Sequence, residues 1–183
     1  QRLFRVFCRN RIVDIVQASG NSIEADLSCR DFTINAMAYD IQAEKIIDTT
    51  GAMKDLEGGL LRMVSESAFE ADPLRLIRAY RIGAELGFGF DNCTASAVTR
   101  HAAKLVTVAG ERIRTEWLRI LKCPSSLDYL LQMADSGLLF VLIPQLEALK
   151  ACTQNGHHHH DVYHHTMAAY GHLENLLHDS GIS

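Results

Sequence analysis

The spacing of hydrophobic residues changes along the chain, and its first part favours strands. Residues 2–8 and 11–17 are short runs rich in Val, Ile and Phe, and the polar Arg-Asn pair between them predicts a β-hairpin. Residues 23–28 predict one or two helical turns. Residues 32–39 fit either a strand or a helix, with β-branched and aromatic side chains favouring a strand that pairs with residues 45–48.

Beyond residue 51 the pattern becomes helical, and glycine and proline mark the interruptions. Ser67 and Glu70 have the spacing of a capping box, which predicts a helix start at that point. Gly87 is expected to end the helix that follows. Helices are expected at residues 73–86, 94–105, 111–122, 125–134 and 162–178. The fold class is therefore predicted to be α+β, with short strands first and a helical array after them.

The helix that starts after Asp72 carries an acid and two arginines on one flank. Arg75 and Arg78 follow Asp72 at steps of three, which places the three side chains within an arc of roughly 120°. A carboxylate accepts from an exocyclic amine and a guanidinium donates to ring nitrogen or carbonyl oxygen, so this flank matches the polar edge of a nucleobase. The alternative is structural, with Asp72 as the helix cap and both arginines solvated or paired with Glu70 or Glu85.

Composition and charge narrow the class of protein. The chain is 48% hydrophobic and 22% charged, which is ordinary for a globular protein and excludes a disordered one. The formal net charge of −4 argues against a large nonspecific nucleic-acid surface, although it leaves room for a local basic groove. Five widely spaced cysteines without a C-x-x-C pair favour a reducing cytoplasm over a disulfide framework or a zinc ribbon. No apolar run is long enough to cross a bilayer, so no membrane partner is expected.

Three further motifs accompany the Asp72 helix. They are residues 29–36 (CRDFTINA), residues 47–62 (IDTTGAMKDLEGGLLR) and the pair Glu111-Arg112. Their order and spacing resemble the class II tRNA nucleotidyltransferase and bacterial poly(A) polymerase family over about residues 14–121. Residues 154–166 resemble the beginning of the HD-type domain that is often found downstream.

The resemblance implies a division of the chain into three parts. A partial polymerase-β-like nucleotidyltransferase head is expected at residues 1–58. An all-helical, nucleotide-reading neck is expected at residues 59–122, followed at residues 123–183 by a helical body and the start of an HD-like domain. In this family the neck reads the incoming nucleotide without a nucleic-acid template.

The resemblance also implies nucleotide-binding roles. Arg30 and Asp31 contact the ribose, with Asp31 accepting from a sugar hydroxyl and Arg30 held near the phosphates. Asp72 and Arg75 bond the base edge of cytosine or adenine, and Arg78 supports them. The alternative for Arg30 and Asp31 is a local salt bridge near an edge strand.

The same resemblance implies roles for three supporting residues. It also shows two positions at which this sequence differs from the family pattern. Asp55 is expected to be a hinge contact between head and neck, and Glu111 with Arg112 to steady the reading helix. The alternative for Glu111 and Arg112 is favourable electrostatics at a helix start. Cys29 stands where the first of two arginines is usual, and Ala71 where an acid is usual. These departures leave CCA, A-only and poly(A) addition open.

Nucleotidyl transfer in this family resembles two-metal phosphoryl chemistry. A D-x-D pair grips Mg²⁺, and a third carboxylate helps to activate the 3′ hydroxyl. The sequence contains no D-x-D, and Gln1 stands in place of Met, so the main Mg²⁺ ligands are expected upstream in a longer polypeptide. Asp14 is either the third carboxylate or a solvent-facing hairpin residue. The chain by itself is not expected to catalyse transfer.

A histidine-rich segment lies towards the end of the sequence. Residues 157–160 are four histidines, and imidazole is a common ligand of Zn, Fe and Ni. By resemblance to HD phosphohydrolases, His165 is the first metal ligand. His178 and Asp179 fall on the same predicted helix as His165, which favours a solvated helix end over the His-Asp doublet.

The leading hypothesis is an RNA nucleotidyltransferase that adds CMP and AMP, or only AMP, to a tRNA 3′ end. Its substrates are CTP and ATP, its cofactor is Mg²⁺, and the Asp72 helix selects the base. The alternatives are an HD-type metal-dependent phosphohydrolase centred on the histidine-rich end and an RNA-binding remnant without catalysis.

Overall fold

The strands that the structure describes are short and lie in three separate pairs. The structure is a computed structural model that describes residues 3–8, 11–150, 152 and 161–180. Among these residues the antiparallel pairs are β1 (Leu3–Cys8) with β2 (Arg11–Val16) and β3 (Met37–Asp40) with β4 (Lys45–Asp48), and the parallel pair is β5 (Leu60–Leu61) with β6 (Gly89–Phe90).

Helices make up most of the remaining described residues. They are α1 (Ile23–Ser28), α2 (Ala52–Glu57), α3 (Ser67–Ala71), α4 (Leu74–Leu86), α5 (Asn92–His101), α6 (Gly110–Leu121), α7 (Ser126–Asp135), α8 (Leu138–Leu142), α9 (Pro144–Leu149) and α10 (Val162–Asp179), with 3₁₀ turns at Thr33–Asn35 and Ala102–Thr107. The predicted α+β class is confirmed, because the strands precede a long helical array. No described helix has the length and apolar character needed to span a membrane.

Helix α4 lies at the centre of the hydrophobic core. Leu76, Ile77 and Tyr80 are among its buried side chains, and the helix packs against α6 and α7. Gly83 permits α4 to pack closely against α7, because a Cβ at this position would lie 2.8 Å from the ring of Tyr129. The helix that carries Arg75 and Arg78 is therefore held on its apolar side by two neighbouring helices.

Several predicted elements agree with the structure within one or two residues. They include the β1–β2 hairpin, α1, the pairing of β3 with β4, and helices α4, α6, α7 and α10. Residues 32–39 instead divide into the 3₁₀ turn Thr33–Asn35 and strand β3. The Thr33 backbone N–H donates to the carbonyl of Arg62 at 2.9 Å, and the Thr33 hydroxyl donates to Asp55 at 2.7 Å. These partners are distant in sequence, so local spacing does not encode the turn.

The capping box predicted at Ser67 and Glu70 is wrong. Helix α3 begins at Ser67, and the preceding Glu66 makes no side-chain hydrogen bond to the helix start. The Ser67 hydroxyl lies 2.8 Å from that of Ser65, and Glu70 accepts from Lys104 Nζ at 3.1 Å. Partners outside the helix have replaced the reciprocal pair that the spacing suggested.

Candidate functional site

A cavity of about 450 Å³ lies between the β-containing unit and the helical array. Its lining consists of Arg30, Asp31, Asn35, Asp72, Leu74, Arg75, Arg78 and Arg112. Six of the ten residues predicted to have a site role line it, although their sequence positions span 30 to 112. Four arginines face two aspartates, so the lining favours an anionic ligand that also offers hydrogen-bonding groups.

Asp72 is both a capping residue and part of the cavity wall. Its Oδ1 accepts from the backbone N–H of Leu74 at 3.2 Å, and its Oδ2 accepts from Arg112 Nη2 at 2.8 Å. The two interpretations of Asp72 are therefore compatible, since capping leaves the carboxylate at the cavity. Arg112 lies in the first turn of α6 and holds this carboxylate from the neighbouring helix.

Arg75 is held by backbone oxygens rather than by an acid. Its Nη1 donates to the carbonyl of Ala68 at 3.4 Å, and its Nη2 donates to the carbonyl of Cys29 at 3.3 Å. Cys29 and Arg75 come from different parts of the chain, so the bond to Cys29 joins the β-containing unit to α4. Neither Glu70 nor Glu85 is the partner of Arg75, because they bind other basic side chains.

Arg30 pairs with Asp26 instead of with its neighbour Asp31. Asp26 is buried in α1, and its second oxygen accepts from the backbone N–H of Ser19 at 2.7 Å. The Ser19 N–H and the Arg30 guanidinium lower the pKa of Asp26 from its ordinary value. The predicted alternative of a local salt bridge is met at Arg30, but its acid is Asp26 of α1, four residues earlier, rather than Asp31.

Asp31 is 9% exposed and faces several donors at once. Its Oδ1 accepts from the backbone N–H of Phe32 at 2.9 Å and from Asn35 Nδ2 at 3.1 Å. Its Oδ2 lies 2.7 Å from Arg78 Nε in an ion pair, although the N–H direction is too oblique for a hydrogen bond. Asp31 therefore organises the side chains around it.

A buried pair of charges lies behind the cavity. Glu116 of α6 accepts from Arg81 Nε of α4 at 2.8 Å, and its other oxygen lies 4.0 Å from Arg78 Nη1. Arg81 also donates to Glu85 at 2.6 Å. Residue spacing did not point to Glu116 and Arg81, or to Asp26 and Asn35. For Arg81 and Glu116 the available signal was a charged residue on the apolar face of a helix.

Asp55 lies outside the cavity and joins three segments of the chain. It accepts from the Thr33 hydroxyl at 2.7 Å and from Arg62 Nε at 3.0 Å, and Arg62 Nη1 also donates to Asp91 at 3.3 Å. Burial alone raises the pKa of Asp55, but the hydrogen bonds from Arg62 and Thr33 and the charge of Arg62 outweigh burial and lower it. This geometry suits a contact between the two parts of the chain.

The other predicted site residues lie away from the cavity among the described residues. Asp14 forms a bidentate salt bridge with Arg5 across the hairpin. Its Oδ1 accepts from Arg5 Nε at 2.7 Å and its Oδ2 from Arg5 Nη2 at 2.9 Å. Glu111 is exposed in the first turn of α6, and His165 is exposed in the first turn of α10. Residues 157–160 lie outside the described residues. Within the described ranges, no three His, Cys, Asp or Glu side chains are grouped to hold a metal ion.

The fold and the cavity define a nucleotidyltransferase head joined to a helical neck. A family model described as "Poly A polymerase head domain" matches residues 3–62. A second, described as "Probable RNA and SrmB- binding site of polymerase A", matches residues 87–150. The chain belongs to the family of tRNA nucleotidyltransferases and poly(A) polymerases.

Similar proteins include both CC-adding and A-adding enzymes. The CC-adding tRNA nucleotidyltransferase of Geobacter sulfurreducens is 44% identical over 124 residues, which are 68% of this chain and 29% of the relative. The A-adding tRNA nucleotidyltransferase of Deinococcus radiodurans is 38% identical over 153 residues, which are 81% of this chain and 35% of the relative. The chain thus spans about a third of the length of these relatives.

Solved structures of CCA-adding enzymes are similar to this chain in fold. The Thermotoga maritima CCA-adding enzyme complexed with tRNA_CCA matches with a TM-score of 0.72 and 30% identity, over 78% of this chain and 36% of that one. Structures of CCA-adding enzyme with ATP and with CTP match over the same shares, with TM-scores of 0.72 and 0.71 and identities of 29% and 30%.

Proposed function

We propose that this chain is the nucleotide-selecting part of an RNA nucleotidyltransferase that extends the 3′ end of a tRNA with CMP and AMP, or with AMP alone. The observation that carries the proposal is the single cavity shared by Arg30 and Asp31 of the head and by Asp72 and Arg75 of the neck. Similar proteins bear the names of CC-adding and A-adding enzymes, and solved relatives hold tRNA, ATP or CTP.

The proposed selection depends on the hydrogen-bonding edge of the base. Cytosine and adenine both carry an exocyclic amine, which donates to the Asp72 carboxylate, and an adjacent ring nitrogen, which accepts from Arg75. Uracil and guanine present a carbonyl oxygen in place of that amine, and this oxygen faces the carboxylate unfavourably. Arg112 fixes the carboxylate by its bond to Oδ2.

The positive lining supports binding of the triphosphate. Arg30 is half exposed at the cavity, and its partner Asp26 lies on the buried side. A guanidinium held in this way keeps donors for phosphate oxygens while its position is fixed.

We propose Mg²⁺ as the cofactor of the reaction, but the described residues do not complete a site for it. They contain no suitable group of three ligands, and Asp14 is engaged with Arg5. The role of Asp14 as the third carboxylate stays a prediction, as do the metal-binding role of His165 and the HD-type domain. A cytoplasmic location is part of the proposal, and it is supported by five cysteines that are all free.

Replacement of Arg75 tests the proposed base selection in the complete polypeptide. We expect Arg75→Ala to lower the preference for CTP and ATP over UTP and GTP about tenfold, because one donor to the base edge is lost. Incorporation into tRNA with each nucleotide measures the preference, and thermal unfolding checks the fold. Arg114→Ala is the matched control, since Arg114 is an exposed arginine on α6 outside the cavity lining.

The proposal fails if Arg75→Ala keeps the same nucleotide preference as the control. Loss of the folded state in Arg75→Ala is not expected, because the two bonds of Arg75 to backbone carbonyls are long and neutral at the acceptor. The products formed with CTP alone, ATP alone and both together distinguish CCA, CC and A addition.

A further inference from the structure

A second groove, of about 340 Å³, lies between the last turns of α10 and the turn that joins α6 to α7. Its walls are largely apolar, with Leu121 and Pro124 on one side and Leu173 and Leu177 of α10 on the other. None of the residues that line this groove lines the cavity between head and neck. The groove is therefore a separate surface feature of the molecule.

The polar groups of the groove bind one another. The buried Ser126 hydroxyl donates to Glu174 Oε1 at 2.6 Å, and it lies 2.6 Å from the Tyr170 hydroxyl. Because Ser126 has one hydrogen to donate, the Tyr170 hydroxyl donates its own hydrogen to Ser126. The Leu127 backbone N–H also donates to Glu174 Oε1, at 3.3 Å. These donors are already used, so the groove favours an apolar group over a polar ligand.

An exposed leucine lies beside the groove on the same helix. Leu176 is 64% exposed, and its neighbours Leu173 and Leu177 line the groove. None of these three leucines packs into the hydrophobic core formed by the described residues. An apolar side chain that can enter a groove and an apolar groove that can receive it therefore lie next to each other, both in contact with water.

Opposite charges accompany the leucine and the groove. Lys122 is exposed at the groove, and within the described part of the chain it forms no ion pair. Asp179 follows Leu176 by three residues, on the same flank of α10. Its side chain is 82% exposed, with His178 Nδ1 at 3.8 Å. The groove thus suits a leucine that has an acid beside it.

A second copy of the chain carries that combination by identity. In a two-fold dimer both copies use the same patch, so the leucine of each copy enters the groove of the other. We propose that this chain forms such a dimer through the end of α10, with Leu176 in the groove of the second copy and Asp179 facing its Lys122. The inference uses no residue of the nucleotide cavity and does not depend on the proposed function.

Sedimentation velocity of the complete polypeptide over a range of concentrations tests the dimer. The patch is smaller than a standard interface, so a Kd of about 10 μM is expected for the wild-type protein. Leu176→Asp is expected to raise the Kd about a hundredfold, because the dimer contains the contact twice and each loses an apolar side chain. Leu131→Asp is the matched control, since Leu131 is an exposed leucine of α7 outside the groove.

Exchange of charges tests the two-fold arrangement without removing apolar area. Lys122→Asp alone and Asp179→Lys alone each place like charges together, and each is expected to raise the Kd about tenfold. A mixture of the two variants restores opposite charges at both contacts of the mixed dimer. The Kd of the mixed dimer is therefore expected to return close to the wild-type value. Thermal unfolding of every variant checks that the fold is kept.

The outcomes are distinct from one another. A wild-type polypeptide that stays monomeric up to about 300 μM overturns the inference, and another segment of the polypeptide or a different protein then becomes the candidate occupant of the groove. A dimer that persists unchanged in Leu176→Asp, or is lost equally in Leu131→Asp, overturns it as well. Failure of the mixed charge variants to associate contradicts the two-fold arrangement. None of these results bears on the nucleotide preference measured with Arg75→Ala.

Discussion

At the scale of single residues, Arg75 differs from the other arginines of the cavity. Arg30, Arg78 and Arg112 each lie beside a carboxylate, whereas Arg75 has no acidic partner among the described residues. Its bonds to backbone carbonyls are 3.3 and 3.4 Å long. A ligand therefore displaces only weak neutral bonds at Arg75, while charged pairs hold the other guanidinium groups in place.

The buried ion pair of Arg81 and Glu116 is expected to contribute strongly to the stability of the fold. Both residues are 7% exposed, and removal of one charge leaves the other buried with fewer partners. We expect Glu116→Ala to lower the free energy of unfolding by about 3 kcal/mol, measured by urea denaturation. Arg81 keeps its bond to Glu85, which prevents a larger loss.

Glu147→Ala is the control for this measurement. Glu147 is an exposed glutamate of α9, and its removal is expected to change the free energy of unfolding by no more than about 0.5 kcal/mol. Equal stability of the Glu116 and Glu147 variants would mean that the buried pair contributes little to the fold.

At the scale of elements, α4 ends where the sequence predicted, at Gly87. This residue has φ of 69°, the left-handed conformation that favours glycine at a helix end. No atom lies within 4 Å of an added Cβ, so only backbone strain opposes a side chain at this position. We expect Gly87→Ala to lower the free energy of unfolding by about 1 kcal/mol, measured by thermal or urea denaturation.

Gly110 is the matched comparison for Gly87, and its replacement by alanine is expected to have the opposite effect on stability. It is the first residue of α6, it lacks a positive φ, and an added Cβ there also meets no atom within 4 Å. Gly110→Ala is expected to stabilise the protein by about 0.5 kcal/mol, because alanine has less conformational freedom to lose in a helix. Changes of the same sign in both variants would contradict this account.

At the scale of the whole molecule, Asp55 and Arg62 join the two parts of the chain. Thr33 belongs to the head, Arg62 follows β5, and Asp91 caps α5, so one polar network crosses the junction. Gly51 precedes α2 with φ of 79°, and Asp55 of this helix is buried. The hinge role of Asp55 stays a prediction, as do the boundaries at residues 58 and 122.

The lowered pKa of Asp55 predicts a dependence of stability on pH. A carboxyl group whose pKa is lower in the folded state contributes stability above its unfolded pKa, about 3.9, and loses it as the pH falls through the folded value. We expect Asp55→Asn to be less stable than the wild-type chain at pH 7, and the difference to shrink by pH 3. Urea denaturation at the two pH values measures it.

The control for this comparison is Asp135→Asn. Asp135 is exposed at the end of α7, and its replacement is expected to cause a small change at both pH values. If the deficit of Asp55→Asn were as large at pH 3 as at pH 7, the stabilisation would come from packing rather than from the ionised carboxylate.

Local spacing in the sequence determined much of the secondary structure. Alternating and helical patterns predicted the β1–β2 hairpin, α1, and helices α4, α6, α7 and α10, because side-chain periodicity follows from backbone geometry. The same periodicity placed Asp72, Arg75 and Arg78 on one flank of a helix. These features depend on residues that are close in sequence.

Only the tertiary structure decided the features that join distant residues. The parallel pair of β5 with β6, the 3₁₀ turn at Thr33–Asn35 and the pairing of Arg81 with Glu116 depend on which segments meet. The cavity itself belongs to this group, since it combines residues 30 to 112. Hydrogen bonds and ion pairs act over a few ångströms whatever the sequence separation, so the spacing of residues along the chain does not reveal them.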